Sequence, residues 1–134
     1  MVSTVNIKPE HISPRTFYER FRESMLANTP DWKDLIAEDV TMSSPLAETV
    51  GRNVFIEMNE PFFNLTSSVV AHEVIYLEDR VVARSTVVIS VAGMPDVPLP
   101  FAEWVTVREG KMTDLKVYFD PSVLQPLLRE ITPT

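Results

Sequence analysis

The second half of the chain is a series of strand-like segments with short connections, and this pattern constrains the fold more than any other feature. Four segments are rich in Val, Ile, Thr and aromatic residues, which favour strands. They span residues 66–77, 80–92, 98–108 and 112–119. Short connections join antiparallel neighbours, so the sequence predicts a four-stranded antiparallel meander.

The first half shows helical periodicity instead. Ser13 can cap a helix whose first position is Pro14, and apolar residues then recur at helical spacing to about residue 28. This half also contains two more helices, predicted over residues 30–36 and 52–64, and two short strands, predicted over residues 39–44 and 46–50. A last helix is expected from Asp120-Pro121 through Leu128.

The order of these elements indicates the fold class. Helices and a short strand pair come first and a long sheet follows, which is typical of α+β proteins. The 134 residues suit one domain, because chains divide into several cores only well above about 200 residues. We predict an N-terminal arm over residues 1–13 and a single domain over residues 14–134.

Composition excludes several classes of function. Lys and Arg number 12 against 19 Asp and Glu, and the basic residues are scattered, which argues against a nucleic-acid partner. The sequence has no Cys, which excludes disulfides and thiol chemistry. Neither His11 nor His72 has the spacing of a metal site, and the three Gly residues form no nucleotide-binding loop. We therefore expect no metal and no cofactor.

The chain shows no sign of a membrane partner. No apolar run approaches the roughly 20 residues of a membrane span, and the first residues do not resemble a secretory signal. We therefore expect a cytoplasmic protein.

Apolar residues occupy both faces of the predicted sheet. We assign one group to each face, namely Val82, Val88, Val105 and Val107 to the first, and Val81, Val87, Ile89 and Trp104 to the second. Three helices can cover only one face of four long strands. We expect the other face to be buried in a homodimer.

Glu103 is the strongest candidate for acid–base chemistry. Alternation along its strand places it on the same side as Phe101 and Val105, within an apolar lining. Burial there would disfavour the charged carboxylate and raise its pKa. The alternative is a structural ion pair with Arg84, because counting residues around the connection places Thr86 opposite Glu103 and Arg84 one step away.

Four further residues could take part in catalysis, each with a structural alternative, and either His72 or Arg84 would supply the second catalytic group. Tyr18 would donate a hydrogen bond to a substrate oxygen, or pack as one more aromatic residue of its helix. His72 would be an acid or base if it points inward; otherwise Arg84 would form a cross-strand ion pair near Glu73 or His72. Asp120 would be a catalytic carboxylate or would cap the last helix.

A set of mostly apolar residues is expected to form the wall of a substrate pocket, although a core would show the same sequence pattern. Its apolar members are Trp32, Phe55, Met58, Phe62, Phe101 and Phe119. Ser44 and Thr86 would add polar groups to this lining.

Four motifs carry a family resemblance. They are WKDLIAEDVTM from Trp32, Gly51-Arg52 before the third helix, FAEWV from Phe101, and GKMTDLKVYFDP from Gly110. With the order of elements, they resemble the nuclear-transport-factor-2-like (NTF2-like) superfamily, which includes ketosteroid isomerases and SnoaL-like polyketide cyclases. The resemblance covers residues 14–125. It implies a cone-shaped, curved antiparallel sheet that wraps around an N-terminal helical layer as an α+β barrel with a central pocket.

The resemblance also implies positions for site residues. In ketosteroid isomerases, a Tyr of the first helix and a protonated acid of a later strand hold the substrate oxygen, and Tyr18 and Glu103 match these positions. The proton-abstracting Asp of those enzymes precedes a Pro, where this chain has Ser44. Limonene-epoxide-hydrolase-like members use an Arg-x-Asp pair, of which Arg84 matches the Arg while Thr86 replaces the Asp.

Together, the residues and the resemblance predict a cofactor-independent acid/base enzyme acting on a small hydrophobic, oxygenated molecule. The reaction would be of the isomerase, cyclase, dehydratase or hydrolase type. The alternative is a non-catalytic domain that binds a small ligand or serves in dimerisation. The residues found at Ser44 and Thr86 favour that alternative.

Overall fold

The first helix, α1, spans Pro14–Ala27 and is capped by Ser13 at its start, as the sequence predicts. The Ser13 hydroxyl accepts a hydrogen bond from the Thr16 backbone N–H at 3.1 Å. Asn28 ends the helix in the left-handed conformation, with φ at 58°. The computed structural model describes residues 12–127. Residues 1–11 of the predicted arm and Leu128 of the predicted last helix lie outside this range.

The predicted second helix is a 3₁₀ helix over Pro30–Leu35, one residue shorter than expected. Ile36 is extended and begins strand β1, which spans Ile36–Ser43, and β2 follows over Glu48–Val50. The helix α2 then spans Arg52–Leu65 and is preceded by Gly51, whose φ of 106° favours glycine.

The second half forms the predicted meander. Its strands are β3 over Thr66–Tyr76, β4 over Arg80–Ile89, β5 over Val97–Arg108 and β6 over Lys111–Tyr118. All six strands form one sheet in the order β2-β1-β6-β5-β4-β3. The α+β fold class is thus confirmed, with a curved sheet that is not closed into a barrel.

The sheet is not antiparallel throughout, because β1 runs parallel to β6. Met42 pairs with Leu115 and Ser43 with Lys116 in this parallel ladder. Strand β1 lies beside β6, at the edge of the meander, and runs in the same direction. The other strand pairs are antiparallel.

The assignment of apolar residues to the two faces was wrong for β5. Val81 pairs with Val105, and Val82 pairs with Trp104. Directly paired residues point to the same side of a sheet, so Val105 faces inward with Val81. Trp104 lies on the outer face with Val82, and it is 40% exposed.

Helices cover the inner face and leave a gap between two apolar clusters. Phe21, Trp32 and Phe63 pack edge-on in the first cluster, with ring centroids 4.9–6.2 Å apart. The predicted last helix is a 3₁₀ helix over Pro121–Leu127, and it packs Leu124 and Leu127 against the opposite end of the sheet. None of the helices within residues 12–127 is long and apolar enough to cross a membrane.

Candidate functional site

A cavity of about 440 Å³ lies between the helices and the inner face of the sheet. Ligand sites in proteins occupy about 300–1,000 Å³, so this volume suits a small molecule. Most of the lining is apolar, and phenylalanine and methionine contribute much of it. These residues are Phe21, Phe62, Phe63, Phe101, Phe119, Met25, Met42, Met58 and Met112.

A hydrogen bond between α1 and β5 forms the polar centre of this lining. The Tyr18 hydroxyl donates to Oε2 of Glu103. Tyr18 is buried on the inner side of α1, and Glu103 is half-buried and lines the cavity. Two residues 85 positions apart in sequence thus place a phenol and a carboxyl group side by side.

Burial controls the protonation of both groups. It raises the pKa of Glu103 above its usual value of 4.5, against the lowering effects of the Tyr18 hydrogen bond and the Arg22 charge. Burial also raises the pKa of Tyr18, and the neighbouring Glu103 carboxylate raises it further. Tyr18 therefore remains a protonated donor, while Glu103 can exchange a proton at a pH above that of ordinary carboxyl groups.

Arg22 is a cavity residue that our sequence analysis did not identify. It lies one helical turn after Tyr18, and its guanidinium carbon is 5.7 Å from the Tyr18 ring centroid. Its Nε atom is buried and has no hydrogen-bond partner among the described residues. The i,i+4 spacing from Tyr18 places both side chains on one helix face and is the signal that would have found it.

Two other polar lining residues are engaged in local structure. The Asn59 amide donates to the Phe55 carbonyl oxygen at 2.8 Å. The Ser44 hydroxyl accepts hydrogen bonds from the backbone N–H groups of Leu46 at 3.2 Å and Ala47 at 3.3 Å. Ser44 therefore organises a turn at the cavity wall, at the position where the resemblance would place a base.

The structure brings many of the predicted site residues together. Tyr18, Ser44, Met58, Phe62, Phe101, Glu103 and Phe119 all line the cavity. Trp32 and Phe55 do not line it, because both are packed in the core beside it, with exposures of 3% and 0%. That these lining residues bind a substrate stays a prediction.

Three predicted site residues lie on the outer face of the sheet instead, and the expected register was wrong. Ala83 pairs with Glu103, whereas Thr86 pairs with Pro100. The register therefore differs by three residues, and an odd difference places Thr86 and Arg84 on the face opposite Glu103. His72 Nε2 lies 2.8 Å from the Thr86 hydroxyl, so His72 is also outside the cavity.

Arg84 and Asp120 make contacts of the structural kind that the sequence offered as the alternative to catalysis. Arg84 Nε lies 3.9 Å from Glu73 Oε1, and these two residues are paired across β3 and β4. Asp120 is exposed and accepts hydrogen bonds from the backbone N–H and the hydroxyl of Ser122, at 3.0 Å and 2.8 Å. Neither Arg84 nor Asp120 lines the cavity.

No group of three or more His, Asp or Glu side chains within residues 12–127 is arranged to hold a metal ion. The acidic lining residues are Glu103 and Glu57, and Glu57 is exposed. The chemistry that this lining offers is proton transfer by Glu103, hydrogen-bond donation by Tyr18, and the positive charge of Arg22.

Several solved structures share this architecture. A Bacillus subtilis protein described as a candidate isomerase has a TM-score of 0.73 and 17% identity, over 87% of this chain and 92% of that chain. An NTF2-like protein of unknown function from Cytophaga hutchinsonii has a TM-score of 0.68 and 21% identity, over 85% of this chain and 96% of that chain. A candidate SnoaL-like polyketide cyclase from Jannaschia sp. has a TM-score of 0.66 and 15% identity, over the full length of both chains.

Identities this low show a shared fold and nothing about activity. Comparison with curated proteins finds no match. A model of the SnoaL-like domain matches residues 15–115, which is most of the chain. The match includes α1 except its first residue, both Tyr18 and Glu103, and most of the sheet. The chain therefore belongs to the SnoaL-like domain family.

Proposed function

We propose that the protein is an acid/base enzyme that transfers a proton next to a carbonyl group in a small hydrophobic molecule. The reaction is of the isomerase, cyclase, dehydratase or hydrolase type, and it needs no cofactor. The observation that carries this proposal is the Tyr18–Glu103 hydrogen bond inside an otherwise apolar cavity. A phenol and a desolvated carboxyl group are the donor and the proton carrier that enolate chemistry requires.

The proton transfer has two steps. The Glu103 carboxylate takes a proton from the carbon next to the substrate carbonyl, and the C–H electron pair moves to form an enolate. The Tyr18 hydroxyl leaves Glu103 and donates its hydrogen bond to the enolate oxygen. The Glu103 carboxylic acid then returns the proton to a different carbon of the conjugated system, which re-forms the carbonyl and completes an isomerisation.

The exchange of hydrogen-bond partners by Tyr18 also makes Glu103 a stronger base. In the free protein, the Tyr18 hydrogen bond lowers the pKa of Glu103. When Tyr18 turns to the substrate oxygen, that effect is lost and the pKa of Glu103 rises. The mostly apolar walls lower the local dielectric constant, which strengthens both interactions.

A non-catalytic ligand-binding domain is the second candidate function. The Ser44 hydroxyl is committed to a turn and supplies no base. Methionine side chains adapt to ligands of different shape, and Met25, Met42, Met58 and Met112 all line the cavity. A protein of this kind would retain a hydrophobic molecule through purification and leave it chemically unchanged, which mass spectrometry of denatured protein would detect.

Deuterium exchange separates the two functions. The protein is incubated in D₂O with unsaturated cyclic ketones and dienones, and proton NMR follows the carbon next to each carbonyl. An enzyme of the proposed type incorporates deuterium at that carbon faster than buffer alone for at least one compound, because the Glu103 proton exchanges with solvent between the two steps. Saturable binding of these ketones without any exchange would favour the binding domain.

We also propose that two copies of the chain associate through the outer face of the sheet. Ile75, Val82 and Trp104 lie in one row across β3, β4 and β5, and Tyr118 packs edge-on against Trp104 with the ring centroids 5.6 Å apart. Trp104 and Tyr118 are 40% and 54% exposed. Light scattering is expected to give the mass of a dimer for the wild type and of a monomer for Trp104→Glu. A monomeric wild type at 100 micromolar would contradict the proposal.

A further inference from the structure

Arg22 is the only basic residue among the described residues that line the cavity. Its side chain enters the lining from the inner face of α1, and its Nε atom is buried without a hydrogen-bond partner. A buried N–H group that has lost water and gained no acceptor destabilises the protein, and a charged group does so more strongly than a neutral one. Because Arg22 lines the cavity, its side chain can turn this unused Nε–H donor toward a ligand there.

The neighbours of Arg22 do not neutralise it by direct contact. No carboxylate oxygen within residues 12–127 lies within 4.0 Å of its guanidinium nitrogens. The Tyr18 ring is 5.7 Å away and offers a cation–π contact, which supplies no acceptor for the Nε hydrogen. Glu103 attracts Arg22 electrostatically but makes its hydrogen bond with Tyr18.

We propose that Arg22 binds the carboxylate of an amphipathic ligand whose apolar body lies against the phenylalanine and methionine walls. The substrate class is then a hydrophobic carboxylic acid that also carries a carbonyl group, a refinement that rests on the acid/base function proposed above. One guanidinium balances one negative charge, so a carboxylate fits this site better than a doubly charged phosphate does. A guanidinium also presents paired N–H groups that match a carboxylate.

The proposed anion site and Glu103 influence each other. A carboxylate on Arg22 adds a negative charge near Glu103 and removes part of the attraction that favours the ionised form of Glu103. The ligand is therefore expected to bind more tightly to the protonated form of Glu103 and to weaken as the pH rises through the pKa of Glu103. The other titratable lining residues are Tyr18, which stays protonated, and Glu57, which is exposed.

A pair of probes with the same apolar body tests the proposal. 4-Phenylbutanoate carries a carboxylate, and 4-phenyl-1-butanol has a neutral hydroxyl in its place. Isothermal titration with the wild-type chain at pH 7 is expected to give at least tenfold tighter binding for the carboxylate. Arg22→Met should remove this preference and leave the affinity for the alcohol within about threefold. Arg20→Met is the matched control, because Arg20 is exposed on the same helix and should keep the preference.

Equal affinities of the wild type for the two probes would overturn the proposal, as would an Arg22→Met variant that keeps the tenfold preference. If Arg22→Met does not fold, as judged by circular dichroism, Arg22→Lys takes its place and should reduce the preference. The titrations measure binding without turnover, so they stand apart from the acid/base function. Carboxylate selectivity in a protein without exchange activity would uphold the anion site and refute catalysis. Exchange activity in a protein without carboxylate selectivity would refute only the anion site at Arg22.

Discussion

Glu103→Gln is expected to lower the rate of substrate proton exchange by about 10²–10⁴-fold, which is the usual contribution of a positioned acid or base. Glutamine has nearly the same shape, and its amide oxygen can still accept the hydrogen bond from Tyr18. It cannot take up or release a proton near neutral pH. The variant should therefore keep the fold and the ligand affinity while losing turnover, measured by NMR in D₂O with any ketone that the wild type exchanges.

Glu23→Gln is the matched control for this variant. Glu23 is exposed on α1 and does not line the cavity, so the Glu23→Gln variant should exchange substrate protons at the wild-type rate. A Glu103→Gln protein with unchanged exchange activity would show that Glu103 does not carry the proton. The Tyr18–Glu103 pair would then be a structural contact, and the binding domain would become the favoured function.

Phe55→Ala is expected to lower the free energy of unfolding by about 3–5 kcal/mol, the range found when a buried phenylalanine is truncated. The Phe55 side chain is 0% exposed and packs in the main core cluster. Its removal leaves a hole that this packed region cannot fill. Urea unfolding monitored by circular dichroism measures the change as a lower midpoint with an unchanged slope.

Met58→Ala serves as the comparison, because Met58 lies one turn further along α2 and borders the cavity. Its side chain already has open space on one side, so fewer contacts are lost and the destabilisation should be smaller than for Phe55→Ala. Equal losses for the two variants would mean that Phe55 also faces open space, as our sequence analysis had expected. Such a result would contradict the division between core and cavity described above.

The helices and strands could be predicted from the sequence because local signals determine them. Ser13 and Pro14 mark the start of α1, and the Val- and Thr-rich segments between short connections become β3 to β6. The second and last helices differ in detail, since both are 3₁₀ helices. The parallel pairing of β1 with β6 has no local signal, because it depends on how distant parts of the chain meet.

The site was predicted where it depends on side-chain type and missed where it depends on register. Glu103 could be selected because an acid within an apolar strand is unusual, and Tyr18 because the family resemblance implies its position. Thr86 and Arg84 were expected near Glu103 because the residue count around the β4–β5 connection differed by three from the actual pairing. A connection with no fixed turn type does not define register, and an odd difference exchanges the two faces.

Arg22 was missed for a different reason. An arginine on a helix near exposed acidic residues is usually a surface residue, and only the helical spacing from Tyr18 distinguishes it from Arg20. Phe55 and Trp32 were expected in the lining because the sequence pattern of a cavity wall is the same as that of a core. A cavity wall and a core differ in how tightly their side chains pack, and the sequence pattern does not show this packing.

The pKa of Glu103 tests the central claim most directly. Infrared difference spectra of the wild type against Glu103→Gln, recorded across a pH series, isolate the carboxyl band of this residue. A pKa clearly above the usual 4.5 is expected, because burial outweighs the Tyr18 hydrogen bond and the Arg22 charge, and Tyr18→Phe should raise it further. A pKa at or below 4.5 would show a carboxylate held permanently in its charged form, and it would contradict the account of Glu103 as a proton carrier.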